Sequence, residues 1–242
     1  MKRAFSIIIL IYLLVSVSIL PGCHRVGSAM NGSGKIIDHN VEIDGFNSLN
    51  IEGDFKVEVS RAETFKVTLS TDDNLIHRVL ISLEQKTLKI RIEAPATFFP
   101  SSLKLVITMP EIVSLNLSGD ARAVLTGFKS TDDFTLFLSE HSSLHGYLEA
   151  GTVQFHVSDA SQVSLKGKAL MLELESSGGS KIDLEEFSLN SAAVKLDEVS
   201  EAILAVSGKF DVVLNNKSRI YYLGNPLISD TSISGGSTMV HK

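Results

Sequence analysis

The feature that most constrains this chain is a short phrase repeated about seven times between residues 112 and 242. Each phrase has two or three alternating apolar residues followed by a small polar corner, as in Leu115-Asn116-Leu117 before residues 118–121. The corners begin near positions 118, 139, 158, 176, 197, 215 and 234, so the period is near 19 residues. Self-similarity at a fixed period of this size predicts a solenoid, in which each unit buries its apolar face only against its neighbours.

Within each phrase the apolar residues alternate with other residues, and an apolar period of two is typical of a β-strand. The sequence therefore predicts an all-β fold, a parallel β-helix (solenoid) with about seven coils of about 19 residues over residues 111–242. We expect the last apolar residues of the phrases to form one interior column, made of Leu117, Leu138, Val157, Leu174, Leu196 and Leu214. The outward side of the same strands should carry Asn116, Phe137, His156, Glu173, Lys195 and Val213.

Residues 36–110 are expected to form a β-rich section of coils and hairpins that precedes the repeats. Two apolar runs, residues 80–83 and 88–92, flank a short polar segment and predict a hairpin. The run Asp72-Asp73-Asn74 predicts a single helical turn over residues 75–79, because Asp and Asn are favoured at helix N-termini.

The first residues have the pattern of an export signal. Two basic residues precede an apolar run over residues 7–20, which is shorter than the roughly 20 residues that a membrane-spanning helix needs. The ending Leu20-Pro21-Gly22-Cys23 resembles the bacterial lipobox, in which the cysteine is lipidated and becomes the mature N-terminus. Residues 1–22 are therefore interpreted as a lipoprotein signal peptide. Residues 23–35 are interpreted as a flexible tether, because they are small and polar.

Cys23 is the single cysteine of the chain, so a disulfide framework is excluded. Lipidation of Cys23 is favoured over a chance thiol after an ordinary signal peptide, because the cysteine directly follows the end of the apolar run. His24 is not the aspartate that favours inner-membrane retention in the enterobacterial pattern. The expected location is therefore the cell envelope, with a lipid anchor in the outer membrane and the protein facing the periplasm or the surface.

The charge of the chain bears on its partners. Without residues 1–22 the chain has 20 basic and 28 acidic side chains, a formal charge of −8. An acidic surface repels phosphate backbones, so nucleic acid is not expected as a partner. The expected partners are the membrane, through the lipid, and a glycan or an envelope protein.

The first repeat and the end of the chain resemble a known family. The sequences MPEIVSLNLSG at residues 109–119, YYLGNP at 221–226 and IDGFNSL at 43–49 are similar to the bacterial family named “putative auto-transporter adhesin, head GIN domain”, over about residues 40–240. This resemblance implies a β-helical, often lipid-anchored envelope protein of Gram-negative bacteria, and it supplies no catalytic residues. The corners at 140–141, 198–199 and 216–217 depart from the small residues that the family prefers, and they are expected to be less tight.

Carboxylates at the corners are the first candidates for binding. Repetition would place Asp120, Glu140 and Asp159 at equivalent positions, and a ladder of carboxylates suits Ca²⁺, which takes six to eight oxygen ligands. The favoured reading is that these carboxylates face water, because the later corners offer Ser177, Glu198, Asn216 and Gly235 instead. Neither a metal nor a cofactor is expected.

Aromatic and histidine side chains are the next candidates. Phe98 and Phe99 lie in a proline-containing loop over residues 94–102 and are interpreted either as an exposed binding tip or, more often in such loops, as a lid over a solenoid end. His141, His145 and His156 lack the spacing of a helix-borne or zinc-ribbon metal site and are interpreted as solvated side chains.

Some parallel β-helices are polysaccharide lyases and glycosidases, so an enzyme is the alternative function. Glycoside hydrolysis needs two carboxylates that flank one bond, and Glu173 with Glu175 or Asp197 is the conceivable pair. These residues are expected to be ordinary solvated charges, and the chain has no Trp to stack on sugars. The favoured function is a non-catalytic, lipid-anchored protein that presents a β-helical surface for adhesion or envelope contacts. A structural role in an envelope complex is a third possibility.

Overall fold

The computed structural model describes residues 30–93 and 98–242, and 66% of it is β-strand. The fold is all-β, as the alternation predicts. The described residues contain no α-helix and one single-turn 3₁₀-helix, Ile76–Arg78. Within the same two ranges, no helix has the length and apolar character that a membrane crossing requires. The predicted signal peptide and Cys23 lie outside the described residues.

Twenty strands are found in the described residues. In chain order they are β1 (Met30–Asn31), β2 (Ile36–Val41), β3 (Ser48–Glu52), β4 (Lys56–Arg61), β5 (Lys66–Asp72), β6 (Val79–Glu84), β7 (Thr87–Ile92), β8 (Phe98–Phe99), β9 (Leu103–Met109), β10 (Ser114–Ser118), β11 (Arg122–Lys129), β12 (Phe134–Leu138), β13 (Ser143–Val157), β14 (Gln162–Ser176), β15 (Lys181–Leu196), β16 (Glu201–Val206), β17 (Lys209–Leu214), β18 (Arg219–Leu223), β19 (Leu227–Ile233) and β20 (Thr238–His241).

The repeats form a parallel β-solenoid, which confirms the predicted architecture. The strands that enter the corners pair in parallel in the order β7-β3-β10-β12-β13-β14-β15-β17-β19, and we call this surface the first flank. The strands that leave the corners pair in the order β9-β4-β11-β13-β14-β15-β16-β18-β20, and we call this surface the second flank. The long strands β13, β14 and β15 pass from the second flank of one winding to the first flank of the next.

The winding number differs slightly from the prediction of about seven. The solenoid has about six turns, because a complete winding runs from one corner to the next and seven corners bound six such intervals. The corners occupy residues 118–121, 139–142, 158–161, 177–180, 197–200, 215–218 and 234–237.

The interior columns follow the predicted alternation, with one correction. The paired residues of one column are Leu117, Leu138, Val157, Ser176, Leu196 and Leu214. Leu174 therefore belongs to the neighbouring column, where it pairs with Phe155 and Val194. All six residues predicted for the interior column are buried. The slip of two residues leaves Leu174 inside, because side chains two positions apart share a face of the strand.

The corners are two-residue turns whose central residues have positive φ, as a type I′ turn requires. The N–H of the third corner residue donates to the carbonyl of the second residue in the next corner, as from His141 to Asp159 at 3.0 Å. The corner with Glu198 (φ 51°) and Val199 (φ 67°) has nearly the same backbone as the Gly178-Gly179 corner (φ 67° and 74°). The expectation that non-glycine corners are less tight was therefore wrong, because the ladder of corner hydrogen bonds imposes one conformation on all of them.

The last corner residue turns back into the solenoid. In the second to sixth corners it is a serine with a fully buried side chain, at positions 142, 161, 180, 200 and 218. The Oγ atoms of Ser142, Ser180 and Ser218 donate to the carbonyl of the first residue in their own corner at 2.7–2.8 Å. In these three corners the hydroxyl offsets the cost of its burial with a local hydrogen bond. The buried Oγ atoms of Ser161 and Ser200 have no hydrogen-bond partner.

Antiparallel strands cover the N-terminal end. Strand β5 pairs antiparallel with β9 and β2, and β6 pairs antiparallel with β7 as the predicted hairpin. The predicted helical turn is only the 3₁₀-helix at 76–78, and no side chain caps it. Asp72 is instead buried at the end of β5, where its carboxylate accepts hydrogen bonds from the N–H groups of Gly34 and Ser101, both at 2.8 Å.

Candidate functional site

The most regular exposed feature of the molecule is a row of outward side chains that crosses the first flank. Strand pairing places Asn116, Phe137, His156, Glu175, Lys195 and Val213 side by side on successive strands. We call this row the flank ridge. Neighbouring strands are roughly 4.8 Å apart, so the ridge presents one side chain at each such step.

The centre of the flank ridge is an aromatic stack. The rings of Phe137 and His156 lie 4.8 Å apart with an interplanar angle of 10°. His156 Nδ1 lies 3.6 Å from Glu175 Oε2, and Lys195 Nζ lies 3.8 Å from Glu175 Oε1. Exposed ion pairs of this kind contribute about 0–1 kcal/mol to stability. The ridge is therefore held by the strands beneath it, and its side chains are free to reorient toward a ligand.

Two shallow grooves border the flank ridge. A groove of about 500 Å³ lies on the corner side, and one of about 630 Å³ lies on the side away from the corners. His156, Glu175 and Lys195 line both grooves. In the second groove Gln154 Nε2 donates to Glu173 Oε2 at 3.0 Å. The ridge and grooves together offer flat rings flanked by hydrogen-bond donors and acceptors.

A second cluster of charged side chains lies on the second flank. The Glu149 carboxylate accepts a hydrogen bond from the Tyr147 hydroxyl at 2.6 Å, and it pairs with Lys168 at 3.1 Å and Lys129 at 3.2 Å. The Tyr147 hydrogen bond and the two lysines lower the pKa of Glu149 to about 2. The same carboxylate raises the pKa of Tyr147 and of Lys129. The Glu149 carboxylate is therefore satisfied within the cluster, while the side chains of Lys129 and Lys168 remain largely exposed.

The three corner carboxylates are not equivalent in the structure. Glu140 and Asp159 are second corner residues, whereas Asp120 is a third corner residue. The second position in the other corners is Gly119, Gly178, Glu198, Asn216 and Gly235. Glu140 and Asp159 are thus the only adjacent carboxylates of that ladder within the described residues, too few for the oxygen ligands that Ca²⁺ requires.

The predicted histidines lie apart. His141 is a corner residue, His145 points outward on the second flank, and His156 belongs to the flank ridge. In residues 30–93 and 98–242 there is no group of three or more His, Cys, Asp or Glu side chains that could hold a metal ion.

The two phenylalanines lie at the N-terminal end. Phe98–Phe99 form strand β8, which pairs in parallel with Met30–Asn31. The side chain of Phe99 is exposed. This strand links the predicted loop to the chain segment that leads toward Cys23.

The carboxylates of the enzyme alternative have ordinary surface partners. Glu173 and Glu175 alternate with buried residues on β14 and point outward, toward Gln154 and toward His156 with Lys195. Asp197 is in a corner, where its Oδ1 accepts hydrogen bonds from the Glu198 N–H and from Asn216. Nothing in their arrangement favours the enzyme.

Residues 45–226 match the family model described as “putative auto-transporter adhesin, head GIN domain”. The chain belongs to this family. A comparison with curated proteins gives no match.

Crystal structures of other bacterial proteins have the same fold as this head GIN protein. One is a “putative adhesin” from Bacteroides fragilis, 17% identical, with a TM-score of 0.84 over 88% of this chain and 100% of the other. A second “putative adhesin”, from Parabacteroides merdae, is 17% identical, with a TM-score of 0.75 over 89% and 100%. A “putative lipid binding protein” from Parabacteroides distasonis is 15% identical, with a TM-score of 0.72 over 89% and 100%. At these identities the likeness establishes the fold.

Two features of this head GIN protein were missed by the reading of the sequence. Glu175, and not Glu173, lies between His156 and Lys195, because the slip at Ser176 shifts residues along the strand without changing their face. The Glu149 network joins β11, β13 and β14. The alternating spacing of Tyr147 and Glu149 on one strand was the available signal, but the lysines come from other windings.

Proposed function

We propose that this head GIN protein is a non-catalytic adhesin of the cell envelope and that the flank ridge with its two grooves is its contact surface. The observation that carries the proposal is the in-register row on the first flank. A parallel solenoid repeats its outward positions at a fixed step, so it suits a ligand that is itself a repeating polymer, such as a polysaccharide. The family to which the chain belongs supports adhesion as the class of function.

The chemistry of the flank ridge supports a neutral glycan as the ligand. The stacked rings of Phe137 and His156 offer exposed apolar surface to the C–H side of a sugar, and Gln154 and Glu173 offer polar atoms to its hydroxyls. The surrounding charge is mostly negative, since Glu175, Asp211 and Asp230 also line the second groove. An acidic groove disfavours acidic polymers, and the formal charge of −8 without residues 1–22 acts in the same direction.

We further propose that Cys23 carries the lipid and that the anchor lies in the outer membrane. The lipobox-like ending at Cys23 and the absence of a competing cysteine in the sequence support this assignment. Each acyl methylene buried in a bilayer contributes about 0.8 kcal/mol, so two or more chains on one cysteine hold a protein stably on a membrane.

A glycan array tests the proposed contact surface. The protein should retain neutral glycans reversibly and without shortening them. Phe137→Ala should weaken this retention about tenfold or more, since base–aromatic and comparable ring stacking contributes roughly 1–3 kcal/mol. Val124→Ala is the matched control, because Val124 is an exposed apolar residue on the second flank, and it should leave retention unchanged. Release of shortened glycans would instead identify an enzyme, and equal losses in both variants would remove the flank ridge from the contact surface.

A further inference from the structure

The N-terminal end of the solenoid exposes apolar side chains at the point where the chain leads toward Cys23. The side chain of Phe99 is 59% exposed and that of Ile36 is 43% exposed. Both residues flank the segment that joins the described domain to the proposed lipid anchor. Single exposed apolar side chains are common on protein surfaces, so the meaning of these two depends on where the chain places them.

Hydrogen bonds join the chain segments at this end. Strand β1 pairs with β8, and the Gly32 N–H donates to the Phe99 carbonyl at 3.0 Å. The buried carboxylate of Asp72 accepts hydrogen bonds from Gly34 and from Ser101, so it ties the segment after β1 to the segment after β8. The positions of Phe99 and Ile36 relative to the start of the domain are therefore fixed by backbone contacts.

Asp73 and Asn74 add a second set of contacts at the same place. Ser33 donates through its N–H to Asn74 Oδ1 at 3.0 Å and through its Oγ to Asp73 Oδ1 at 2.7 Å. Asn74 Nδ2 donates to the Asn31 carbonyl at 2.9 Å. Residues 31–35, which belong to the segment predicted as a tether, are thus held on the domain surface.

The length of chain between Cys23 and Met30 limits how far this end can stand from the membrane. Seven residues span at most about 25 Å when fully extended, since each residue advances the chain by no more than about 3.6 Å. Met30 pairs directly with Phe98, the neighbour of Phe99. A lipid on Cys23 would thus keep Phe99 within a short distance of the bilayer surface, whereas the later windings lie farther along the solenoid.

We propose that Phe99 and Ile36 form a membrane-contact patch that inserts into the boundary between headgroups and acyl chains. This inference rests on the proposed lipid anchor, and it adds an orientation to it. Apolar and aromatic side chains gain free energy at that boundary, and they complement a lipid chain as a second attachment. With this end on the bilayer, the solenoid axis rises from the membrane and the flank ridge stays open to the surroundings.

Fluorescence quenching by brominated lipids tests the patch. The chain contains no Trp, so a single introduced Trp is the only indole reporter. The lipidated full chain with Phe99→Trp is placed on vesicles of phosphatidylethanolamine and phosphatidylglycerol with brominated acyl chains. The emission of this Trp should shift to the blue and be quenched, and Ile36→Trp should repeat the result. Leu170→Trp is the matched control, because Leu170 is exposed in the middle of the solenoid, and its emission should be unchanged.

Flotation of the same vesicles distinguishes a failure of the membrane-contact patch from a failure of the lipid anchor at Cys23. The lipidated chain should float with the vesicles and Cys23→Ala should not. If the protein floats and the reporters at positions 99 and 36 are unquenched, the patch is wrong and the anchor stands. If the reporter at position 170 is quenched to the same degree, the solenoid lies on its side and the proposed orientation is wrong. If the chain with Cys23 intact does not float, the lipid anchor itself is wrong.

Discussion

The two ends of the solenoid are finished in different ways. At the N-terminal end, β2, β5 and β6 run antiparallel to their neighbours, and the carboxylate of Asp72 joins two loop segments through its hydrogen bonds to Gly34 and Ser101. At the C-terminal end, β19 continues the parallel ladder on β17, and all seven of its residues are exposed. Within the described residues no element covers β19.

The inward positions show what this difference does to burial. Phe210 and Leu214 on β17 are fully buried, whereas their partners on β19, Ile228 and Ile233, are 41% and 44% exposed. A solenoid unit buries its apolar face against the units on both sides of it, so the loss of one neighbour exposes nearly half of an inward side chain. At the N-terminal end the outermost antiparallel strand β6 shows the same loss, since Leu83 is 41% exposed opposite the fully buried Leu88. On β5, which lies between β2 and β9, Val67 and Leu69 stay buried because that strand has a neighbour on both sides.

The largest expected effect compares a central and a terminal residue of one interior column. Leu196 and Ile233 belong to the same column, through Leu214. Leu196→Ala should lower the free energy of unfolding by about 2–5 kcal/mol, because Leu196 is fully buried and a cavity remains. Ile233→Ala should cost about 1 kcal/mol or less, because much of that side chain is already in water. Urea unfolding followed by circular dichroism measures both, and equal losses would show that β19 is covered in solution.

The next prediction concerns the contact of the Asp72 carboxylate with the N–H groups of Gly34 and Ser101, which we call the cap at the N-terminal end. Asp72→Asn leaves one acceptor oxygen for the two N–H groups of Gly34 and Ser101 and turns an NH₂ donor toward the other N–H, which weakens the contact between both segments. Hydrogen exchange at those two amides should therefore accelerate, while the exchange rates in β19 stay unchanged. Asp133→Asn is the control, because the Oδ1 of Asp133 accepts the Thr152 N–H at 2.9 Å on an exposed part of the solenoid. Its effect should be confined to Thr152.

The same cap should respond to acid. Burial acts to raise the pKa of Asp72, but the hydrogen bonds from Ser101 and Gly34 outweigh it and lower the pKa below the ordinary 3.8. A carboxyl group with a lowered pKa contributes stability above its unfolded-state pKa and loses that contribution as the pH falls through the folded-state value. Protection of the Gly34 and Ser101 amides should thus decrease below about pH 3.8 in the wild type and depend less on pH in Asp72→Asn. An identical pH dependence in both proteins would mean that another group controls this end.

The repeats were predictable because their signal is local and recurs. An alternation of two and a corner every 19 residues or so assign the inward and outward faces, and the structure confirms the faces of Phe137 and His156. The predicted strand register failed at Ser176, where a buried serine lies in an interior column directly before the serine that begins the corner. Two adjacent serines leave the start of that corner ambiguous in the sequence.

The cap could not be predicted from local patterns. Asp72 has the context of a helix N-cap, yet it binds residues 34 and 101, which lie 38 and 29 positions away along the chain. Only the antiparallel pairing of β5 with β2 and β9 brings these groups together. The same reason explains why Lys129 and Lys168 could not be assigned to Glu149, since the lysines approach it only after the windings stack.

The smallest expected effect concerns backbone strain at a corner. It tests whether strain at Val199, and not the missing neighbour of β19, loosens the C-terminal windings. Val199 and Gly179 both occupy the third corner position, with φ values of 67° and 74°. A left-handed backbone conformation costs a β-branched residue roughly 1–2 kcal/mol of free energy, whereas it costs glycine almost nothing. Val199→Gly should therefore raise the free energy of unfolding by about 1 kcal/mol after the added chain entropy of glycine is subtracted. Gly179→Val should lower it by a similar amount, because a Cβ at position 179 meets no atom within 4 Å and only the φ value is unfavourable. Urea unfolding of both variants gives these changes.

Hydrogen exchange in β19 should remain fast in Val199→Gly, since relief of strain in an earlier corner supplies no neighbour for the last winding. Slower exchange in β19 would show instead that strain at Val199 loosens the C-terminal end.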